Sequence, residues 1–68
     1  MSRTVATIKG KYMDRVLDIV DEPDDKENVW LAIRLSNEKD HFAGIMLNKE
    51  GIRALQDALK EVTMYDPD

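Results

Sequence analysis

The stretch "KYMDRVLDIVDE", residues 11–22, decides the fold, because it can be read in two ways. On a helical wheel Tyr12, Met13, Val16, Leu17, Ile19 and Val20 gather on one side and every charged residue on the other, the pattern of an amphipathic helix. Three features oppose that reading. A helix would set Lys9 and Lys11 near its positive end and Asp18, Asp21 and Glu22 near its negative end, against the macrodipole. Its start lacks a good cap, since Gly10 precedes it. Val16, Ile19 and Val20 are β-branched, and the following "DEPDDKEN", residues 21–28, has the composition of a turn between strands. Strands are therefore expected at about 4–9 and 15–20, and the competing arrangement carries a helix at about 11–22.

Downstream the alternation is cleaner. In "NVWLAIRLS", residues 28–36, Val29, Leu31, Ile33 and Leu35 share one face, and Trp30, Ala32, Arg34 and Ser36 share the other. In "HFAGIMLN", residues 41–48, Ala43, Ile45 and Leu47 alternate with Phe42, Gly44 and Met46. The joining "NEKDH" is rich in turn formers, so the two strands should form an antiparallel hairpin. Asn48 can cap a helix whose first turn holds Glu50, and Ile52, Leu55, Leu59 and Val62 recur at three- and four-residue steps beside Ala54 and Ala58. That helix is expected at about 49–63, its early Gly51 tolerated, with a tail fraying after about residue 65. The expected fold is α+β: a four-stranded antiparallel sheet followed by one C-terminal helix (ββββα), with βαββα as the alternative. The aliphatic faces of the hairpin should lie under the helix.

Sixty-eight residues, 43% of them hydrophobic, allow one domain, residues 1–68, with one modest core. Such a domain is marginal unless stapled or paired, and without cysteine neither a disulfide nor a thiolate metal site can form. A homodimer would be the natural way to bury more surface. The longest apolar runs, "VWLAI" and "FAGIML", are far shorter than the ~20 residues of a membrane span. The first fifteen residues have no signal-peptide apolar centre, so a cytoplasmic protein is expected. A net charge of −4 argues against a generic nucleic-acid binder.

Little in the chain suggests catalysis. His41 lies beside Asp40, yet no serine or cysteine stands in a nucleophile motif, so a solvated histidine at a hairpin mouth is the plain reading. Gly10, Gly44 and Gly51 are scattered singly and build no phosphate loop. The acidic run Asp21, Glu22, Asp24, Asp25 and Glu27 lacks the calcium-loop pattern, since Pro23 occupies a ligand position and the turning glycine is missing. No enzyme activity, metal or cofactor is expected. The acidic turn could instead occupy a basic site on a partner protein, with Asp24 and Asp25 at its centre. Trp30, Phe42 and Met46 are expected on the sheet face away from the helix, where nothing in the chain is left to cover them. Arg34 on that face could bind a carboxylate or phosphate, or stack on a ring.

The segment "GIMLNKEGIRALQDAL", residues 44–59, resembles the strand-to-helix junction of the single-stranded-DNA-binding transcriptional coactivator family known as positive cofactor four. Gly44, Ile45, Leu47, Asn48, Glu50, Ile52 and Leu55 match its pattern. The resemblance covers about a quarter of the chain and implies a four-stranded antiparallel sheet followed by a helix, a dimer, and unpaired nucleic acid bound on the sheet. The chain departs from the family before the glycine, where Asp40, His41, Phe42 and Ala43 replace a lysine-rich approach. If nucleic-acid binding were retained, Trp30 and Phe42 would stack bases, with Arg34, Lys9 and Lys11 near the backbone. The leading expectation is a small acidic regulatory or inhibitory protein that binds a protein partner through Trp30, Arg34, Phe42, Met46, Asp24 and Asp25. Compact acidic chains of this kind are common among prokaryotic and phage-encoded modulators.

Overall fold

The computed structural model describes residues 2–62. Four strands, β1 (Arg3–Lys9), β2 (Arg15–Glu22), β3 (Asp25–Leu35) and β4 (His41–Asn48), precede one helix, α1 (Lys49–Lys60). The strands form a single antiparallel sheet in the order β1-β2-β3-β4, the ββββα arrangement expected from the sequence. Residues 15–22 are strand, so propensity and charge polarity prevail over the helical wheel in the stretch that decides the fold.

The turns follow from local chemistry. Between β1 and β2 the Gly10 carbonyl accepts from Met13 N–H at 3.1 Å, and Gly10 N–H donates to the Arg15 carbonyl at 2.9 Å. Met13 sits at φ 67°, a left-handed conformation that costs a residue with a Cβ about 1–2 kcal/mol. Pro23 and Asp24 alone separate β2 from β3. There the Asp25 carboxylate accepts from Glu27 N–H at 3.1 Å and from Asn28 Nδ2 at 3.0 Å, which holds its pKa below the ordinary value and bends the first residues of β3 away from regular pairing. At the chain's outer edge Arg3 pairs with Asp21 at 2.9 Å, an exposed bridge that contributes little.

Register assigns the faces. Val29, Leu31 and Ile33 stand opposite Leu47, Ile45 and Ala43, and Leu17 and Ile19 extend this row into β2. The other face carries Val20, Trp30 and Met46 in one row, Asp18, Ala32 and Gly44 in the next, then Val16, Arg34 and His41. α1 lies on the first face at the β3–β4 side, where Gly51 abuts the Leu47 side chain, and only Ile52 of its apolar stripe is half-buried. The hairpin's aliphatic residues are therefore only partly under the helix, and Ile45 remains 58% exposed. The buried residues, Val16, Val20, Ala32 and Asp18, all belong to the opposite face. These buried residues lie in the two central strands, and the outer strands carry irregularities at Val5 in β1 and Phe42 in β4.

α1 begins where expected, with the Asn48 side chain accepting from Gly51 N–H at 2.9 Å. It ends at Lys60, short of the expected residue 63, because Glu61 and Val62 bond back to Ala58 and Leu59, a tighter turn that closes the helix. Residue 63 and the tail beyond residue 65 lie outside the described residues. Because α1 gains little from packing, its cap carries unusual weight. Asn48→Ala should cost about 1 kcal/mol and show as reduced helical ellipticity at 222 nm with the sheet signal unchanged.

Candidate functional site

The face opposite α1 is organised around one buried carboxylate. Asp18, 3% exposed, lies in β2 between Thr7 of β1 and Ala32 of β3. Thr7 Oγ1 donates to Oδ1 at 2.6 Å; Arg34 Nε donates to Oδ2 at 2.7 Å and His41 Nε2 meets the same oxygen at 2.8 Å. A carboxylate can only accept, so His41 presents its Nε2–H to Asp18. The Thr7 bond, aided by those from Arg34 and His41, outweighs burial and lowers the Asp18 pKa from the ordinary 3.8 to about 2. Arg34 continues the network through Nη1, which donates to the Glu38 carbonyl at 2.9 Å and more weakly to those of Leu35 and Ser36, fastening the β3–β4 turn.

Trp30 is fixed beside this network. Gly44 lies directly across the sheet from Ala32, and a Cβ built there would come within 2.5 Å of Trp30 Nε1. The indole thus lies on bare backbone at Gly44, and its edge meets the His41 ring with centroids 5.1 Å apart and planes at 66°. It stays 37% exposed, while its neighbour Met46, directly opposite in the register, is 61% exposed. Trp30 and Met46 line a depression of 160 Å³ together with Val20, Asn28 and residues of the β2–β3 corner, Asp21, Glu22 and Asp25.

The expected site residues are distributed as follows. Trp30 and Met46 are together and exposed. Phe42, 59% exposed, takes the extra position of the β4 irregularity, so that His41 and not Phe42 completes the face opposite Arg34. Arg34 is on the expected face, but its Nε and Nη1 are committed to Asp18 and the turn carbonyls. Asp25 borders the depression, and Asp24 sits exposed in the adjoining turn. Lys9 reaches the same face at its β1 corner, while Lys11 lies in the β1–β2 loop with Nζ 5.3 Å from the Tyr12 ring centroid. His41 is half-buried and bonded to Asp18, not solvated at a hairpin mouth, and its carboxylate comes from β2 and not from neighbouring Asp40.

Thr7, Asp18 and His41 escaped the sequence reading as a unit. The available signal was Asp18 itself, a charge between Leu17 and Ile19 on the same strand face as Val16 and Val20, where a buried ion requires partners. Among the described residues no group of histidine and carboxylate side chains is arranged to hold a metal ion, and no helix is long and apolar enough to cross a membrane. Comparison with known proteins found no matching family model, curated protein or solved structure.

Two substitutions check this account. Asp18→Asn leaves Arg34 without its counter-charge and should cost about 2–4 kcal/mol, read from urea midpoints. Because the Asp18 pKa is lower folded than unfolded, its stabilisation is complete above about pH 4 and is lost as pH falls toward 2. The gap between wild type and Asp18→Asn should accordingly be widest near neutral pH and close in that acid window. Gly44→Ala should displace the indole, shifting Trp30 emission and costing about 1–3 kcal/mol, while Ala43→Ser, on the other face, leaves the emission unchanged.

Proposed function

We propose that this chain is a small non-enzymatic protein that regulates or inhibits a protein partner by binding it on the face of Trp30 and Met46. The observation that carries this reading is the depression in which these two apolar side chains adjoin Asp21, Glu22 and Asp25. An indole held in place by Gly44 and His41 is a pre-ordered anchor, losing little side-chain entropy when a partner covers it. Asp21 already pairs with Arg3, but the exposed Asp24 in the adjoining turn favours a cationic side chain over a phosphate. A partner segment that combines an apolar residue with lysine or arginine fits this surface. The Asp18 and His41 pair is read as structural, because the same carboxylate also binds Thr7 and Arg34 and so joins the four strands.

A second reading is a dimeric single-stranded nucleic-acid binder of the positive-cofactor-four kind. What supports it is the exposure of Trp30 and Phe42 on an open four-stranded sheet with Lys9 at the corner. Against it stand the net charge and the commitment of Arg34 to the interior network.

Titrating the protein with an unpaired oligonucleotide at low and high salt, following Trp30 emission, separates the two. The protein-binding reading expects no saturable change, together with capture of a cellular protein that Trp30→Ala no longer retains and that neutralising Asp24 and Asp25 weakens. Saturable quenching that fades as salt rises would transfer the face to nucleic acid, with a loss of roughly 1–3 kcal/mol per stacked base on removing Trp30.

A further inference from the structure

The two edges of the sheet are built differently. β1 and β4 are its outer strands, so each turns one row of main-chain N–H and C=O groups away from its neighbour. In β1 that row is guarded: Arg3 and Lys9 stand at the strand's ends, and the irregularity at Val5 interrupts it between them. β4 has none of these devices from Ala43 to Leu47, where the sequence AGIML carries no charge and no proline and the pairing with β3 runs unbroken.

Two hydrogen bonds fix which groups face outward. The Asp14 carbonyl accepts from Ser36 N–H at 2.9 Å, in line with the β2–β3 register. Bonded pairs alternate with unbonded ones in an antiparallel ladder, so Val16, Asp18 and Val20 bond to Arg34, Ala32 and Trp30. The main-chain groups of Val29, Leu31 and Ile33 therefore turn to β4, where they meet Leu47, Ile45 and Ala43. The bond from Gly10 N–H to the Arg15 carbonyl gives the same phase from the β1 side. Gly44 and Met46 are left with N–H and C=O pointing off the sheet edge, and among the described residues no element pairs with that edge. Both are exposed, Met46 at 61%, and so is Ile45 between them on the other face, at 58%.

We propose that an extended segment of the partner protein adds a fifth strand along β4, bonding to the N–H and C=O groups of Gly44 and Met46. The inference rests on the reading that a partner binds the Trp30 and Met46 face, and it names the form in which that partner binds. A strand is the occupant because a second row of main-chain groups at the same spacing satisfies both residues at once. Side chains opposite Gly44 and Met46 stand on the Trp30 side, and the one between them stands on the α1 side. Gly44 brings no side chain of its own, so a large apolar or aromatic residue opposite it lies against the indole. Beside exposed Ile45 a β-branched residue fits. The partner segment is thus apolar at three successive positions, with no proline among them.

The test follows amide exchange by nuclear magnetic resonance in the isotope-labelled chain, with the blocked peptide Lys-Thr-Phe-Val-Leu-Thr-Lys as the added strand. In the chain alone the amides of Ala43, Ile45 and Leu47 should exchange slowly and those of Gly44 and Met46 fast. Saturating peptide should slow Gly44 and Met46 roughly tenfold or more. The same peptide N-methylated at its phenylalanine and leucine keeps the side chains but loses those two donors, and it should not bind. No slowing at millimolar peptide, equal binding of the N-methylated form, or slowing confined to Thr7 and Lys9, the outward residues of β1, would overturn the proposal. So would protection of Gly44 and Met46 in the chain alone that grows with its concentration, which would give the edge to a second copy. Trp30→Ala separates this inference from the reading beneath it. Slowing of Gly44 and Met46 that survives the substitution keeps the strand and removes the indole anchor, whereas peptide binding that needs Trp30 and leaves both amides fast keeps the anchor and removes the strand.

Discussion

The carboxylate of Asp18 ties all four strands together. It stands in β2 and receives Thr7 from β1, Arg34 from β3 and His41 from β4. A charge this deeply buried is costly when alone, and here its stabilisation comes from donors that no single hairpin could supply. Arg34 then carries the same interaction out to the β3–β4 turn, so the position of that turn is set from the middle of the sheet. The network specifies register as well as energy: a one-residue slip of β2 would send Asp18 to the aliphatic face and leave Arg34 facing an apolar side chain.

Presentation of Trp30 depends on the same region through side-chain size. Next to the row of Val20, Trp30 and Met46 comes a row whose members in β3 and β4 are Ala32 and Gly44. Small residues there let the indole lie down and leave room for Arg34 and His41 to reach Asp18. The irregularity at Phe42 completes the arrangement by turning His41 to this face, where it serves Asp18 with one nitrogen and meets the indole with its ring. One inserted residue in β4 thereby joins the polar cluster to the aromatic anchor.

Much of this was legible in the sequence. The alternation of residues 28–36 and 41–48, the cap at Asn48 and the stripe of Ile52, Leu55 and Leu59 led to the right elements, because each is a local signal. In residues 15–20, β-branching and charge polarity outweigh a strong helical period. What was not legible came from pairing between strands. Simple alternation puts Phe42 beside Trp30 and His41 on the opposite face, and nothing local in "HFAG" announces the extra residue that reverses this. The partners of Asp18 are 11, 16 and 23 positions away, beyond any pattern a single strand carries. The location of the core was likewise hidden, since it depends on how far α1 reaches across the sheet.

The order β1-β2-β3-β4 has a consequence for how the chain finds this structure. Every strand pairs with its neighbour in sequence, so each contact closes a short loop, and topology of this kind favours fast folding. Hairpins formed singly would nevertheless be incomplete. The β1–β2 hairpin holds Thr7 and Asp18 without the Arg34 guanidinium, and the β3–β4 hairpin holds Arg34 and His41 without the carboxylate. Only their union pairs Asp18 with Arg34, which couples two locally favoured halves into one cooperative transition.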